Sequence, residues 1–190
     1  DLELCIKNNV DLIFMSDENF MTDLSDNRII DLPKFTKYMC GATRKGHFLG
    51  VYKIVRVLFD MFNPHYACFG KKDYQQLLLI RYIAKTYFKN LKIVEVDIIR
   101  NRNNLALSSR LSRLTEQSLK DAELIYKTLT KIKNSILDGE KFSTIKKKSI
   151  EELNYNDIHV DYIELRLLET LEECKNSLSR CGIFIACYIN

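Results

Sequence analysis

The segment Tyr66-Ala67-Cys68-Phe69-Gly70-Lys71-Lys72-Asp73-Tyr74-Gln75-Gln76 decides the fold. Four apolar residues stopped by a glycine read as a short buried strand. A helix is expected from about Lys72, with apolar positions at 77, 80, 84, 87 and 88. Open α/β sheets gather ligands at the carboxyl ends of their strands, which is where such a junction sits. The free N–H groups and partial positive charge of a helix N-terminus suit phosphate. Lys72 can neutralise phosphate oxygens there, and Asp73 can accept hydrogen bonds from ribose hydroxyls. Gln76 follows Lys72 by four residues and Asp73 by three, so the three share one helical face. Its amide both donates and accepts, which suits a hydroxy acid.

Outward from this junction the pattern repeats. Apolar residues at 51, 54, 55, 58 and 62 predict a helix over residues 50–62, ended by Asn63-Pro64. Residues 91–99, rich in Ile and Val, read as the next strand, and residues 100–104 as a polar loop. Residues 1–9 read as the end of a helix closed by Asn8-Asn9, residues 10–15 as a strand, and residues 16–28 as a loop. Strand–helix–strand alternation implies a parallel sheet with flanking helices. Thr115 is an N-cap for a long helix to about Leu137, and residues 158–166 and 183–189 read as two later strands. The expected class is therefore α/β over residues 1–111, followed by a smaller α+β unit over residues 112–190. With two prolines and six glycines, no flexible linker stands out between them.

A second polar block, Leu105-Ala106-Leu107-Ser108-Ser109-Arg110, follows the loop after the strand at 91–99. Hydroxyls and a guanidinium together can bind phosphates and stabilise charge as pyrophosphate leaves. No G-x-S-x-G surrounds the serines, and the chain has neither a P-loop nor a G-x-G-x-x-G. A third block, Cys40-Gly41-Ala42-Thr43-Arg44-Lys45-Gly46-His47-Phe48, offers Arg44 and His47 to an anion, although a histidine before a helix commonly serves structure.

The net charge of +4, from 29 basic and 25 acidic residues in 190, is too mild for a dedicated nucleic-acid binder. The run Lys146-Lys147-Lys148 reads as a solvated helix face. No apolar stretch is long enough to span a bilayer. The six cysteines form no C-x-x-C pair and have no histidine at zinc spacing, so no metal site is expected. They read as reduced thiols of a cytoplasmic protein, with Cys68 and Cys187 packed inside.

Taken together the three blocks resemble the pantothenate synthetase (pantoate–β-alanine ligase) family. That family typically carries Cys-Gly-x-x-Arg-Pro-Gly-His-Phe-x-Gly-Val, then Phe-Gly-Glu-Lys-Asp-x-Gln-Gln, then Arg-x-x-x-Gly-Leu-Ala-Leu-Ser-Ser-Arg. This chain has all three in order, and residues 160–166 resemble the start of the family's C-terminal domain core. The resemblance implies a Rossmann-like nucleotidyltransferase core, usually in a homodimer. It implies ATP-dependent joining of pantoate and β-alanine through a pantoyl adenylate, with AMP and pyrophosphate released and Mg²⁺ bridging the phosphates. On this resemblance Gly70, Lys71, Lys72 and Asp73 contact ATP, Ile99 meets adenine through its backbone, and Leu107, Ser108, Ser109 and Arg110 close over the phosphates. Lys72, Ser108, Ser109 and Arg110 would carry the catalytic charge stabilisation, and Gln76 would hold pantoate.

The chain departs from the pattern at Lys71 for Glu, Asn104 for Gly, Leu111 for Asn and Lys45 for Pro. The family's Met-Gly-Ala-Leu-His-x-Gly-His and Asn-Pro-x-Gln-Phe motifs do not occur in it. With its opening at Asp1, this reads as the C-terminal portion of a longer enzyme, inactive alone. Two other readings stand beside it: a degenerate, non-catalytic nucleotide-binding protein, and another nucleotidyltransferase.

Overall fold

A computed structural model describes residues 2–16, 20, 30–174 and 180–189. The first helix, α1 (Leu2–Lys7), ends where Asn8 Nδ2 donates to the Leu4 carbonyl at 2.8 Å and Asn9 takes φ +53°. Residues 10–15 are not a strand. Leu12 and Met15 stand 76% and 74% exposed, and Phe14 meets Phe62 edge-on at 5.3 Å. A strand exists only against a partner, and no described residue pairs with this run. Of the predicted loop over 16–28, all but residues 16 and 20 lie outside the described residues.

A 3-10 turn, Lys34–Lys37, leads into the short helix α2 (Cys40–Thr43) and then α3 (His47–Phe62). Gly46, at φ +77°, sets the entry to α3, which starts three residues before the predicted position. Its buried residues are Phe48, Tyr52, Val55 and Phe59, a stripe at spacings of four, three and four. Phe62, predicted inward, is 44% exposed. Asn63, at φ +41°, and Pro64 end the helix.

Strand β1 (Tyr66–Gly70) pairs in parallel with β2 (Lys92–Val96), from Tyr66 opposite Lys92 to Gly70 opposite Val96. The crossover between them is α4 (Tyr74–Tyr87), entered through a 3-10 turn at Lys71–Asp73. Leu79, Ile80 and Ile83 of α4 are fully buried against Phe48, Tyr52, Val55 and Phe59, with Ala67, Phe69 and Ile93 of the strands beside them. Each such side chain contributes about 1.5–3 kcal/mol of burial. The strands are not buried on both faces as expected: Tyr66, Cys68, Val94 and Val96 face outward and are exposed. Cys68 is therefore no core residue. The second strand also ends at Val96, so residues 97–99, predicted as strand, are exposed chain.

Beyond residue 111 the chain forms α5 (Glu116–Leu137), α6 (Phe142–Tyr155), and an antiparallel pair, β3 (Ile158–Leu167) with β4 (Cys181–Ile189). Thr115 caps α5 as predicted, its hydroxyl accepting from the Ser118 N–H at 3.1 Å. Ile132, Ile145, Leu153, Ile158 and Ile163 form a second core. Cys187 packs against it, and burial pushes its thiol up to about 12. A third cluster, Met39, Leu78 and Leu171, joins the two halves. The cysteines are not all reduced, because Cys174 and Cys181 form a disulfide with Cα atoms 6.2 Å apart. Their spacing of seven matches no motif; both lie against the end of β3, where Leu167 pairs with Cys181 and the Leu165 carbonyl accepts from the Cys174 N–H at 3.3 Å. No helix among the described residues is long and apolar enough to cross a membrane.

Gly41 has its backbone against the Thr36 carbonyl, where an added Cβ would lie 1.7 Å from the oxygen. Gly41→Ala is expected to destabilise the fold by roughly 3 kcal/mol, read as a lower urea midpoint. An unchanged midpoint would contradict this packing.

Candidate active site

Three separate stretches of chain carry the expected site residues, the first of them at the carboxyl end of β1. Lys71, Lys72 and Asp73 occupy the 3-10 turn after Gly70. Lys72 Nζ lies 3.7 Å from Asp73 Oδ1, and both side chains are exposed. Asp73 stands at the N-cap position of α4 but makes no capping bond, which leaves its carboxylate facing outward. Gln76 is half-buried one turn later. The Lys71 Nζ contacts Asp97 Oδ1 at 2.6 Å, and that carboxylate raises the ammonium above the ordinary lysine range. Lys71 and Asp97 come from the carboxyl ends of the two adjacent strands, which is why they meet.

The second block is held by its own backbone. The Leu107 N–H donates to the Ile99 carbonyl at 2.9 Å, and the Asn101 N–H donates to the Leu105 carbonyl at 2.9 Å. Asn104 adopts φ +65° in the turn between them, a conformation Asn tolerates better than most residues. Arg100 lies over the Tyr126 ring at 4.1 Å, and Asn103 Nδ2 donates to Glu123 at 2.5 Å, so the loop is docked on α5. Ser108 is extended, and its hydroxyl accepts from the Arg110 N–H at 3.3 Å as the 3-10 turn Ser109–Arg113 begins. Ser109 and Arg110 are exposed, with Ser108 half-buried.

The third block supplies Arg44 and, at the first position of α3, His47. Burial holds the His47 imidazole below the ordinary histidine range, and Arg44 lowers it further. Asp73 pulls it the other way, and Arg110 adds a further lowering. Charges from all three blocks therefore act on the His47 imidazole. A cavity of about 430 Å³ opens beside it, lined by Asp31, Thr36, Lys37, Arg44, His47 and Phe48 among others. Its wall mixes apolar surface with three basic groups and one carboxylate, a lining suited to a small anionic or zwitterionic organic molecule.

Sequence reasoning missed Gln75. This residue is 4% exposed, and its Nε2 donates to the carbonyls of Phe35 at 2.9 Å and Tyr38 at 2.7 Å, while its Oε1 is buried without a partner. The signal was available, since Gln75, Leu79 and Ile83 recur every four residues on the buried face. The amide fixes the turn before α2, and through it the Arg44–His47 segment, to the helix that carries Asp73.

A sequence model of the family described as Pantoate-beta-alanine ligase matches residues 1–190. The chain belongs to the pantoate–β-alanine ligase family. Pantothenate synthetases of Leptospira interrogans and Fervidobacterium nodosum are each 34% identical to it across its whole length. The chain spans about two thirds of these relatives, 67% and 68%. The crystal structure of the pantothenate synthetase of Thermus thermophilus superposes over the whole chain and 71% of its own, at TM-score 0.85 and 28% identity. The pantoate–β-alanine ligase of Francisella tularensis, complexed with β-γ ATP and β-alanine, superposes over the whole chain and 64% of its own, at TM-score 0.77 and 28% identity. The α/β class with a parallel sheet and a following C-terminal unit is the family's architecture.

The His47 imidazole is expected to titrate below 6.5 in NMR, and to move up when Arg110→Gln removes a neighbouring cation or when pyrophosphate is added. The folded value lies below the unfolded one, so His47 favours the fold above 6.5 and this is lost as pH falls through the folded value. A titration at or above 6.5 in the free chain would contradict the arrangement.

Proposed function

We propose that this chain carries the ATP- and pantoate-binding part of a pantoate–β-alanine ligase. The observation that carries the reading is the family model's match over residues 1–190, in a chain that has the three motif blocks in order. The reaction has two steps. A carboxylate oxygen of pantoate attacks the α-phosphorus of ATP, and pyrophosphate leaves. The β-alanine amine then attacks the acyl carbon, and AMP departs as the amide forms.

Lys72 neutralises phosphate charge, and Asp73 accepts from the ribose hydroxyls. Ser108, Ser109 and Arg110, with the Leu107 backbone, close over the departing pyrophosphate. Gly70 lets the nucleotide approach the strand end, and the Ile99 backbone faces adenine. Gln76 holds pantoate, and Arg44 and His47 supply further anion contacts. Lys71 also contacts ATP, from the turn in which it pairs with Asp97. Catalysis of this kind is positioning and charge stabilisation, with no covalent enzyme intermediate.

When bound, Mg²⁺ would add to the neutralisation of triphosphate charge that Lys72 and Arg110 supply. Among the described residues no cluster of three or more His, Cys, Asp or Glu could hold a metal. The same reading takes residues 1–111 as the nucleotide and pantoate domain and residues 112–190 as the C-terminal domain, in a cytoplasmic homodimer.

The test is AMP formation from ATP that requires both pantoate and β-alanine, in the protein at the full length of its relatives. AMP release indifferent to β-alanine would overturn the assignment. Lys72→Ala should slow adenylation by roughly 10²–10³-fold. Gln76→Ala should raise the pantoate KM with a smaller effect on ATP, and an unchanged pantoate dependence would remove Gln76 from that role.

A further inference from the structure

Tyr74 stands inside the first block, between Asp73 and the two glutamines, yet its side chain points into the other half of the molecule. Its hydroxyl donates to the Leu168 carbonyl at 3.1 Å, and its ring packs against Phe184 at 5.6 Å. Leu168 opens a segment that leaves the β3–β4 ladder after Leu167 and drives Leu171 into the cluster of Met39 and Leu78. Leu171 is wholly buried at φ +53°, a conformation uncommon for a branched apolar residue and held only by its surroundings.

What holds it is local. The Leu171 N–H donates to Leu167, the Leu167 N–H to Glu172, and the Leu168 N–H to Arg180, each at 2.9 Å. Arg166 Nη1 donates to the Leu171 carbonyl at 3.3 Å, and Lys34 pairs with Glu172 at 3.5 Å. The covalent element is the Cys174–Cys181 disulfide, which ties the end of this segment to the first residue of β4. Both cysteines are only half-buried, within reach of a small dithiol.

We propose that Tyr74 is a positioning residue for the nucleotide block, and that the Cys174–Cys181 disulfide holds its anchor in place, so that thiol–disulfide state sets nucleotide affinity. The nucleotide part rests on the proposed function; the anchoring does not. In the reducing step one thiolate of a dithiol attacks a sulfur of the disulfide, giving a mixed disulfide and releasing the other cysteine. The second thiol of the dithiol then closes the reductant's own disulfide and releases the remaining cysteine. Two electrons pass from reductant to protein, and the two thiol protons end on Cys174 and Cys181. The freed segment then opens more often, and the Leu168 carbonyl no longer fixes Tyr74 and the turn before it.

The experiment is titration of ATP into the oxidised and the dithiothreitol-reduced protein at the full length of its relatives, with hydrogen exchange of residues 167–174 followed in both. Reduction is expected to weaken ATP binding about fivefold or more, with faster exchange in that segment. Tyr74→Phe keeps the ring and removes the hydroxyl, so its ATP affinity should no longer respond to reduction. Cys174→Ser and, independently, Cys181→Ser should each bind ATP like the reduced chain in both conditions. Equal affinity for ATP in the two states, or a redox response that survives Tyr74→Phe, would overturn the proposal. So would thiols at Cys174 and Cys181 that stay unpaired under oxidant. ATP binding in neither state would defeat the reading of the site; unchanged exchange on reduction would separately defeat the latch.

Discussion

Two parallel strands cannot be joined by a tight turn, so pairing Tyr66–Gly70 with Lys92–Val96 obliges the chain to cross over the sheet. The crossover, Tyr74–Tyr87, is held down by Leu79, Ile80 and Ile83, none of which keeps any exposed surface. Because this helix cannot slide without exposing that row, its first turn is fixed at the carboxyl end of the first strand. Lys72 and Asp73 owe their position to that constraint, as does the ion pair of Lys71 with Asp97 at the end of the neighbouring strand.

The other blocks are attached to this unit by polar contacts. Gln75 reaches from the buried face of the crossover helix to the carbonyls of Phe35 and Tyr38. Gly41 permits the backbone of the next helix to close on Thr36. These contacts tie the segment that carries Arg44 and His47 to the crossover helix that follows Asp73. The Ser108–Arg110 block arrives through a different route, a loop pinned to the long helix by Arg100 over Tyr126 and Asn103 on Glu123. Burial is the main influence on the His47 imidazole, with smaller effects from Arg44, Asp73 and Arg110.

The C-terminal unit does more than pack its own core. Thr43 donates to Asp161 at 3.1 Å, the Cys40 thiol and the Tyr162 hydroxyl lie 3.1 Å apart, and Tyr74 donates to Leu168. Burial and that thiol both push the Tyr162 phenol up, so it stays neutral and serves as a hydrogen-bonding partner. All three contacts start from residues within or beside the motif blocks, and geometry at the site is therefore shared between the halves.

The sequence by itself determined the element types and the motif blocks. Helical spacing marked the helices over 50–62 and from about Lys72, Thr115 marked the start of the long helix, and apolar runs marked strands at 66–69, 91–99, 158–166 and 183–189, each of which overlaps an element of the fold. Lys72, Asp73, Gln76, Ser108, Ser109, Arg110, Arg44 and His47 were nameable because their chemistry follows from residue type and local position. Tertiary structure alone decided what each apolar run would face. Residues 10–15 have strand composition and no strand partner among the described residues, and Cys68 sits in an apolar strand yet on its open face. It also decided the pairings: Lys71 with Asp97, Cys174 with Cys181, and Gln75 with two carbonyls nearly forty residues away. The physical reason is that periodicity encodes which side of an element is apolar. Which neighbour covers that side, and which polar groups meet across it, depends on contacts between residues far apart in the chain.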